Sequence, residues 1–297
     1  MPNAVQYQIV HRTRYVYEGP VTVSHHLAHL APRPLPTQRC PWHELQITPQ
    51  PVGRSVHSDA FGNVTTYFEI EGRHTELDVI SRSFVEVMPC QLPAHDETPA
   101  WETVRDACQA PMLTPSSAAG EFRFASPMVP IARDFAEYAL PDFPPGRPIL
   151  AALDALVKRI FREFRFDTRA TDVATPVHEV LKNRAGVCQD FAHLMLACIR
   201  SLGLPARYIS GYLETRPPPG KPKLTGADAS HAWISVFCGD KHGWIDADPT
   251  NGVFPGQRHI TVAWGRDFSD VSPLRGVTLG AGGQRLSVGV DVLPMEG

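Results

Sequence analysis

The chain has 297 residues, enough for two domains, and a hydrophobic fraction of 43%, enough to fill two cores. Its 28 basic and 31 acidic residues give a net charge of -3, without the basic excess that a phosphate backbone demands, which argues against nucleic acid as a main partner. No apolar run reaches the length of a membrane span, and the start "MPNAVQYQIVHRTRYVYEG" lacks the basic-then-apolar order of a secretion signal, so a cytoplasmic protein without a membrane partner is expected.

Residues 1–95 read as an antiparallel β-domain. The runs "YQIVHRTRYVY", "HELQIT", "NVTTYFEIE" and "LDVISRSFVEV" are alternating or β-branched, and "SDAFGN" at 58–63 offers a hairpin turn. Within this half, His25, His26 and His29 ("HHLAHL") raise the question of a metal site, but no complete ligand set accompanies them. Residues 96–145 are rich in proline and small residues and read as a linker wrapping from one domain to the next.

The pattern turns helical in the third segment, 146–297. Ile149, Leu150, Leu153, Leu156, Val157, Ile160, Phe161 and Phe164 form one apolar stripe. A second helix fits 176–183, with Thr175 as N-cap and Pro176 at the first helical position. A third begins near Cys188 and stops at Gly203, with Pro205 beyond. Strands are expected at "ARYISGYL", "HAWISVF" and "GWIDAD". Between the first two lies a Pro- and Gly-rich loop at 214–230. "GVTLGAGG" at 276–283 has glycines but no phosphate-loop lysine or following helix.

Six cysteines, at positions 40, 90, 108, 188, 198 and 238, form no CxxC pair, and free thiols are expected in a reducing compartment. Cys188 stands apart. Its place at a helix N-terminus exposes it to unpaired N–H groups and the helix dipole, both of which favour a thiolate and could also hold an oxyanion. Gly186 permits a tight backbone entry and leaves room for a substrate. Cys198, by contrast, lies inside "LMLACI" and reads as core. His231 opens a strand in a polar setting, "GADASHAW", from which an imidazole could reach the helix end. Asp246 and Asp248 are both placed to orient that imidazole, and strand alternation puts them on one face without choosing between them. Asp190 and His193 could line the cleft or cap neighbouring backbone.

A Gly186-Val-Cys188 helix start, then His231-Ala-Trp233, then Trp244-Ile-Asp-Ala-Asp248-Pro-Thr-Asn251 resembles the transglutaminase-like cysteine peptidase superfamily over roughly residues 150–255. The β-rich half ahead of it is similar to a bacterial subfamily with a transglutaminase N-terminal domain. The resemblance implies an α+β fold, an N-terminal antiparallel β-domain followed by a papain-like core of helices packed on an antiparallel sheet. It selects Asp248, directly before Pro-Thr, as the third member of a Cys188, His231, Asp248 triad. Gly186, Gln189, Trp233, Trp244 and Asp246 are expected to support the site or bind substrate, with Trp233 or Trp244 shielding the His231-Asp248 pair.

The implied activity is thiol-dependent acyl transfer on a peptide or protein, most readily as a peptidase or amidase. Protein-glutamine crosslinking and a catalytically silent peptide-binding module are the alternatives. Neither a metal nor any other cofactor is implied, and the calcium dependence of some animal transglutaminases does not carry over, since no acidic calcium loop is visible. Members of this kind sometimes accompany peptide ligases, which suggests such pathway partners; oligomeric state is left open.

Overall fold

A computed structural model describes residues 4–109, 114–215, 230–280 and 282–295. Two antiparallel sheets organise it. The first holds β1 (Val5–Ala28), β2 (Gln38–Thr48), β3 (Gly53–Ser58) and β4 (Val64–Val87). Along β1 the buried Tyr7, Ile9, His11 and Thr13 alternate with exposed Gln8 and Arg12, the period that buries one face of a strand. "NVTTYFEIE" and "LDVISRSFVEV", expected as separate strands, are one continuous 24-residue strand, β4, paired along its length with β1. β2 and β3 take successive halves of the outer edge of β4, and Gly62, at φ 72°, turns the β3–β4 hairpin.

Residues 96–145 are more than a linker. They contain α1 (Trp101–Ala107), α2 (Pro115–Ala119) and α3 (Arg133–Ala139). Trp101, Val104, Phe135 and Phe143 are buried in the main core, so the segment contributes packing as well as connection. α4 (Ile149–Glu163) follows, burying the expected stripe with one exception: Phe161 is 53% exposed. Short β5 (Arg165–Phe166) pairs in parallel with β6 (Ala185–Gly186), and α5 (Val177–Asn183) lies between them. Pro176, not Thr175, is the N-cap of α5, because the Thr175 hydroxyl is engaged with Asp172.

α6 (Cys188–Ser201) packs on the second sheet, formed by β7 (Ala206–Leu213), β8 (Ser230–Phe237), β9 (Trp244–Ala247) and β10 (His259–Gly265) in the order β10-β7-β8-β9. Gly203, at φ 82°, ends the helix region as expected of a left-handed terminator. β10 was not anticipated, although "HITVAW" is β-branched and aromatic. Most of the 214–230 loop, residues 216–229, falls outside the described residues.

After α7 (Phe268–Val271), β11 (Leu274–Gly280) and β12 (Gln284–Pro294) return to the first sheet. Sequence order puts them with the 146–297 segment, but they pair with successive halves of β1, and "GVTLGAGG" is therefore largely strand.

The two sheets meet at the β10 edge. Side-chain amides there replace a missing strand: Gln38 donates to the Thr261 carbonyl and accepts from its amide (2.7 and 2.8 Å), and Asn63 does the same to Trp264 (2.8 and 2.9 Å). Backbone groups that would otherwise be orphaned at an edge are thus satisfied by the N-terminal sheet. Tyr212 and His11 add a buried 3.0 Å hydrogen bond across the same junction.

Gly211 on β7 is a close-approach position. An added Cβ would run into the Ile260 carbonyl and lie 2.5 Å from Cη2 of Trp233. Gly211→Ala should therefore destabilise the protein by about 1–3 kcal/mol in urea unfolding, the usual cost of overpacking; an unchanged midpoint would show that the strands separate freely there.

Candidate active site

The local structure around Cys188 follows from a five-residue segment, Gly186-Val-Cys188-Gln-Asp190. The Asp190 carboxylate folds back over the helix start, accepting from the Val187 amide at 2.7 Å and the Thr171 hydroxyl at 2.5 Å. Only glycine at 186 allows this, since a Cβ there would sit 2.6 Å from Asp190 Oδ2. Burial raises the Asp190 pKa, against the opposing effect of those two hydrogen bonds. Cys188, half-buried, therefore opens α6 at an N-terminus that is held rigidly from one side.

His231 lies near enough to Cys188 for the two groups to interact, which favours its protonated form. Its Nε2 lies 2.8 Å from Asp248 Oδ2, and an ionised carboxylate only accepts, so Nε2 carries a proton and Nδ1 is the nitrogen left for the thiol. Asp248, wholly buried, owes its place to the turn that follows β9. Pro249 has no amide to offer, and Oδ1 accepts instead from the amides of Thr250 (2.9 Å) and Asn251 (3.2 Å). Oδ2 accepts from His231, from Asn251 Nδ2 at 2.7 Å and from His259 Nε2 at 3.0 Å.

Burial alone would raise the Asp248 pKa, but these donors hold it well below the usual carboxylate range. For His231, burial lowers the pKa, and the hydrogen bond to Asp248 together with the proximity of Cys188 outweighs it, raising it to about 10.

The supporting residues named from the sequence divide. Trp233, fully buried, lays its ring beside His231 (centroids 5.9 Å apart) and edge-on to His259 (5.3 Å), so it covers the His231-Asp248 pair. Asp246 does not touch His231; it accepts from Trp233 Nε1 at 3.0 Å and fixes that ring. Trp244 is not part of the cluster, packing instead against Phe122 and Phe237. Gln189 is half-exposed on the first turn of α6, next to Cys188. His193 is structural, accepting from the Phe268 amide at 3.2 Å.

The "HHLAHL" histidines do not converge. His25 meets Tyr67, His26 stacks on Phe68, and His29 faces Ser272 and Asp59. Among the described residues the group with metal-ligand geometry is His231, Asp248 and His259, whose ligand atoms lie within 4.8 Å of one another. Each of those two Nε2 atoms is already bonded to the carboxylate.

Residues 7–86 match the model of the bacterial transglutaminase-like N-terminal region, and residues 144–249 match that of the transglutaminase-like superfamily. An uncharacterized protein of Mycobacterium tuberculosis is 42% identical over 98% of this chain and 94% of its own length. The chain belongs to the transglutaminase-like superfamily.

A Mycobacterium leprae protein, also uncharacterized, is 32% identical over 96% of this chain and 97% of its own. A protein-glutamine gamma-glutamyltransferase of Pseudomonas aeruginosa is 30% identical, over only 34% of this chain and 16% of its own. The fold is shared with a solved Cytophaga hutchinsonii protein proposed to be a cysteine protease, at a TM-score of 0.79 and 19% identity, covering 99% of this chain and 92% of that one.

Two members of the cluster escaped the sequence reading. Asn251 sits in the transglutaminase-like "DPTN" stretch, where its proximity to Asp248 was the available signal. His259 had only the "HITVAW" strand pattern to recommend it, and nothing local links it to Asp248.

A raised His231 pKa means that the folded state holds this proton more tightly than the unfolded chain, so its contribution to stability is complete below about 6.5 and lost as pH rises through about 10. Asp248 has the opposite sign, contributing above the ordinary carboxylate range and losing its contribution in acid. The stability gap between the protein and His231→Gln, from urea unfolding, should be widest at about pH 6 and close towards pH 10. A gap that does not vary with pH would contradict the assigned protonation.

Proposed function

We propose that the protein is a cysteine-dependent acyl-transfer enzyme whose preferred reaction is hydrolysis of a peptide or amide bond. The single observation that carries this reading is the grouping of Cys188, at a helix start, with His231, which is itself hydrogen-bonded to the buried Asp248. A thiol becomes a strong nucleophile only as its thiolate, and an imidazole held by an ionised carboxylate can take that proton.

In the proposed reaction, the Cys188 proton already rests on His231 Nδ1, as the raised imidazole pKa favours, and the Cys188 thiolate attacks the carbonyl carbon. First-turn amides of α6 that Asp190 does not occupy stabilise the oxyanion. His231 then protonates the leaving amine, the C–N bond breaks, and a thioester remains on Cys188. Water, deprotonated by His231, attacks the thioester, and collapse of the adduct releases the acid and the Cys188 thiolate, restoring the thiolate–imidazolium pair. Asp248 keeps the imidazole in the required tautomer, and Trp233 limits the access of water to that pair.

A primary amine replacing water would give crosslinking. The Pseudomonas aeruginosa relative bears the name of such an activity, but its alignment spans a third of this chain, and hydrolysis is the favoured reading. Peptide or protein is the proposed substrate class, and the proposed location is cytoplasmic. Among the described residues no helix is long and apolar enough to cross a membrane.

Limiting iodoacetamide at about pH 6, below a free thiol's ordinary pKa, should label Cys188 ahead of the other accessible cysteines and lose that preference in His231→Ala. In a peptide-substrate screen, Cys188→Ala should abolish turnover with the fold intact, and Asp248→Asn should lower kcat on the order of 10³–10⁴-fold. Undiminished turnover in Cys188→Ala would refute the proposal. Incorporation of a labelled primary amine into a glutamine donor, without new peptide ends, would move the assignment to crosslinking.

A further inference from the structure

Strand alternation gives the catalytic sheet two different faces. On β7, Tyr208 and Tyr212 join the core that includes α6, while Arg207 and Ile209 face the other way. The register pairs Arg207 with Ser235 and Ser235 with Asp246, so these three lie in a row across β7, β8 and β9. Beyond this rear face is a cavity of about 570 Å³, closed on its far side by residues of the N-terminal β-domain and the segment after it, including Val87, Met88 and Leu92. That is the size of a small-molecule site. Cys188 does not line it.

Arg207 is the unusual feature of this wall. Its guanidinium carbon lies 4.3 Å from the ring centroid of Trp244 and 3.6 Å from that of Trp264. Its Nε is buried without a hydrogen-bond partner, and among the described residues the side chain makes no ion pair. Burial lowers its pKa to about 9, with Arg33 acting in the same sense, although the negative charge of Asp246 works against both. Asp246 is already bound to Trp233. The Ser235 hydroxyl beside it in the register, fully buried, also has no partner.

A half-buried cation with a buried, unpartnered Nε and no contacting anion is incompletely solvated, and a ligand that brings a negative charge would complete its surroundings. A guanidinium packed against two indoles has only its terminal Nη groups left to offer, and a pair of such N–H donors matches a carboxylate. A dianion is disfavoured by Asp246, and the walls formed by Ile209, Trp244, Trp264, Met88 and Leu92 call for an apolar body.

We infer that this cavity binds a small monocarboxylate with an apolar body, anchored by Arg207 and separate from the Cys188 cleft. His259 forms part of the same wall and bonds Asp248 through Nε2, so an occupant bears on the Asp248 network from behind. The inference does not depend on the proposed catalytic activity.

Calorimetric titration of the full chain with 3-phenylpropionate and with its neutral amide, 3-phenylpropionamide, tests it. The acid should bind saturably with Kd below about 1 mM and the amide at least about tenfold more weakly. Arg207→Met, checked for native fold by circular dichroism, should lose the acid's advantage, and Cys188→Ala should leave it unchanged. Equal binding of acid and amide to the unaltered protein, or no saturation by the acid at about 20 mM, would overturn the inference whatever the variants do. Loss of binding in Cys188→Ala would also overturn it, by placing the probe in the cleft; inactivity of the enzyme alone would not.

Discussion

Everything at the candidate site depends on a carboxylate removed from water. Asp248 has no exposed surface, and a buried anion survives only if its lone pairs are met by donors. Those donors come from three directions: the imidazole of β8, the imidazole of β10, and the amides and side chain of the turn that Asp248 itself begins. The requirement ties strand ends that are not adjacent in the sheet to one point. His231, thus fixed by one nitrogen, keeps the other available to Cys188 nearby. Preorganisation for the proposed acyl-transfer chemistry follows from satisfying a buried charge.

The same sheet serves two environments. Its front buries apolar residues under α6 and delivers Cys188 to the sheet's end. Its rear carries Asp246, His259 and Arg207, the last stacked against two indoles, and faces the N-terminal β-domain across the cavity. That domain also satisfies the β10 edge through Gln38 and Asn63, so the position of His259 depends on residues more than 190 positions away in the chain. The N-terminal sheet is therefore structurally continuous with the site, through hydrogen bonds that would be lost if it moved as an independent body.

Trp233 illustrates how packing supports the polar network. Its ring rests beside His231 and His259, its Nε1 is held by Asp246, and the sheet accommodates it only because position 211 has no side chain. Asp246, a rival to Asp248 on chemistry alone, acts on the cluster through this indole. Two carboxylates two residues apart, one on β9 and one just beyond its end, thus take different roles, one bonded to the imidazole and one bonded to the ring that covers it.

The amino-acid sequence alone determined the pieces whose causes are local: a glycine-entered helix starting at Cys188, a histidine opening a strand, an aspartate folded over Pro-Thr-Asn, and the apolar periodicity of α4 and α6. Capping, Asx turns and alternation act within a few residues, so their signatures are written contiguously. The tertiary structure decided what required distant segments to meet. It merged two expected strands into β4, sent the C-terminal strands to β1, packed the 96–145 segment into the core, and brought His259 to Asp248. It also set Trp244 away from the His231-Asp248 pair and against Arg207. No local pattern encodes these outcomes, because each is fixed by which buried groups find partners once the two sheets close on each other.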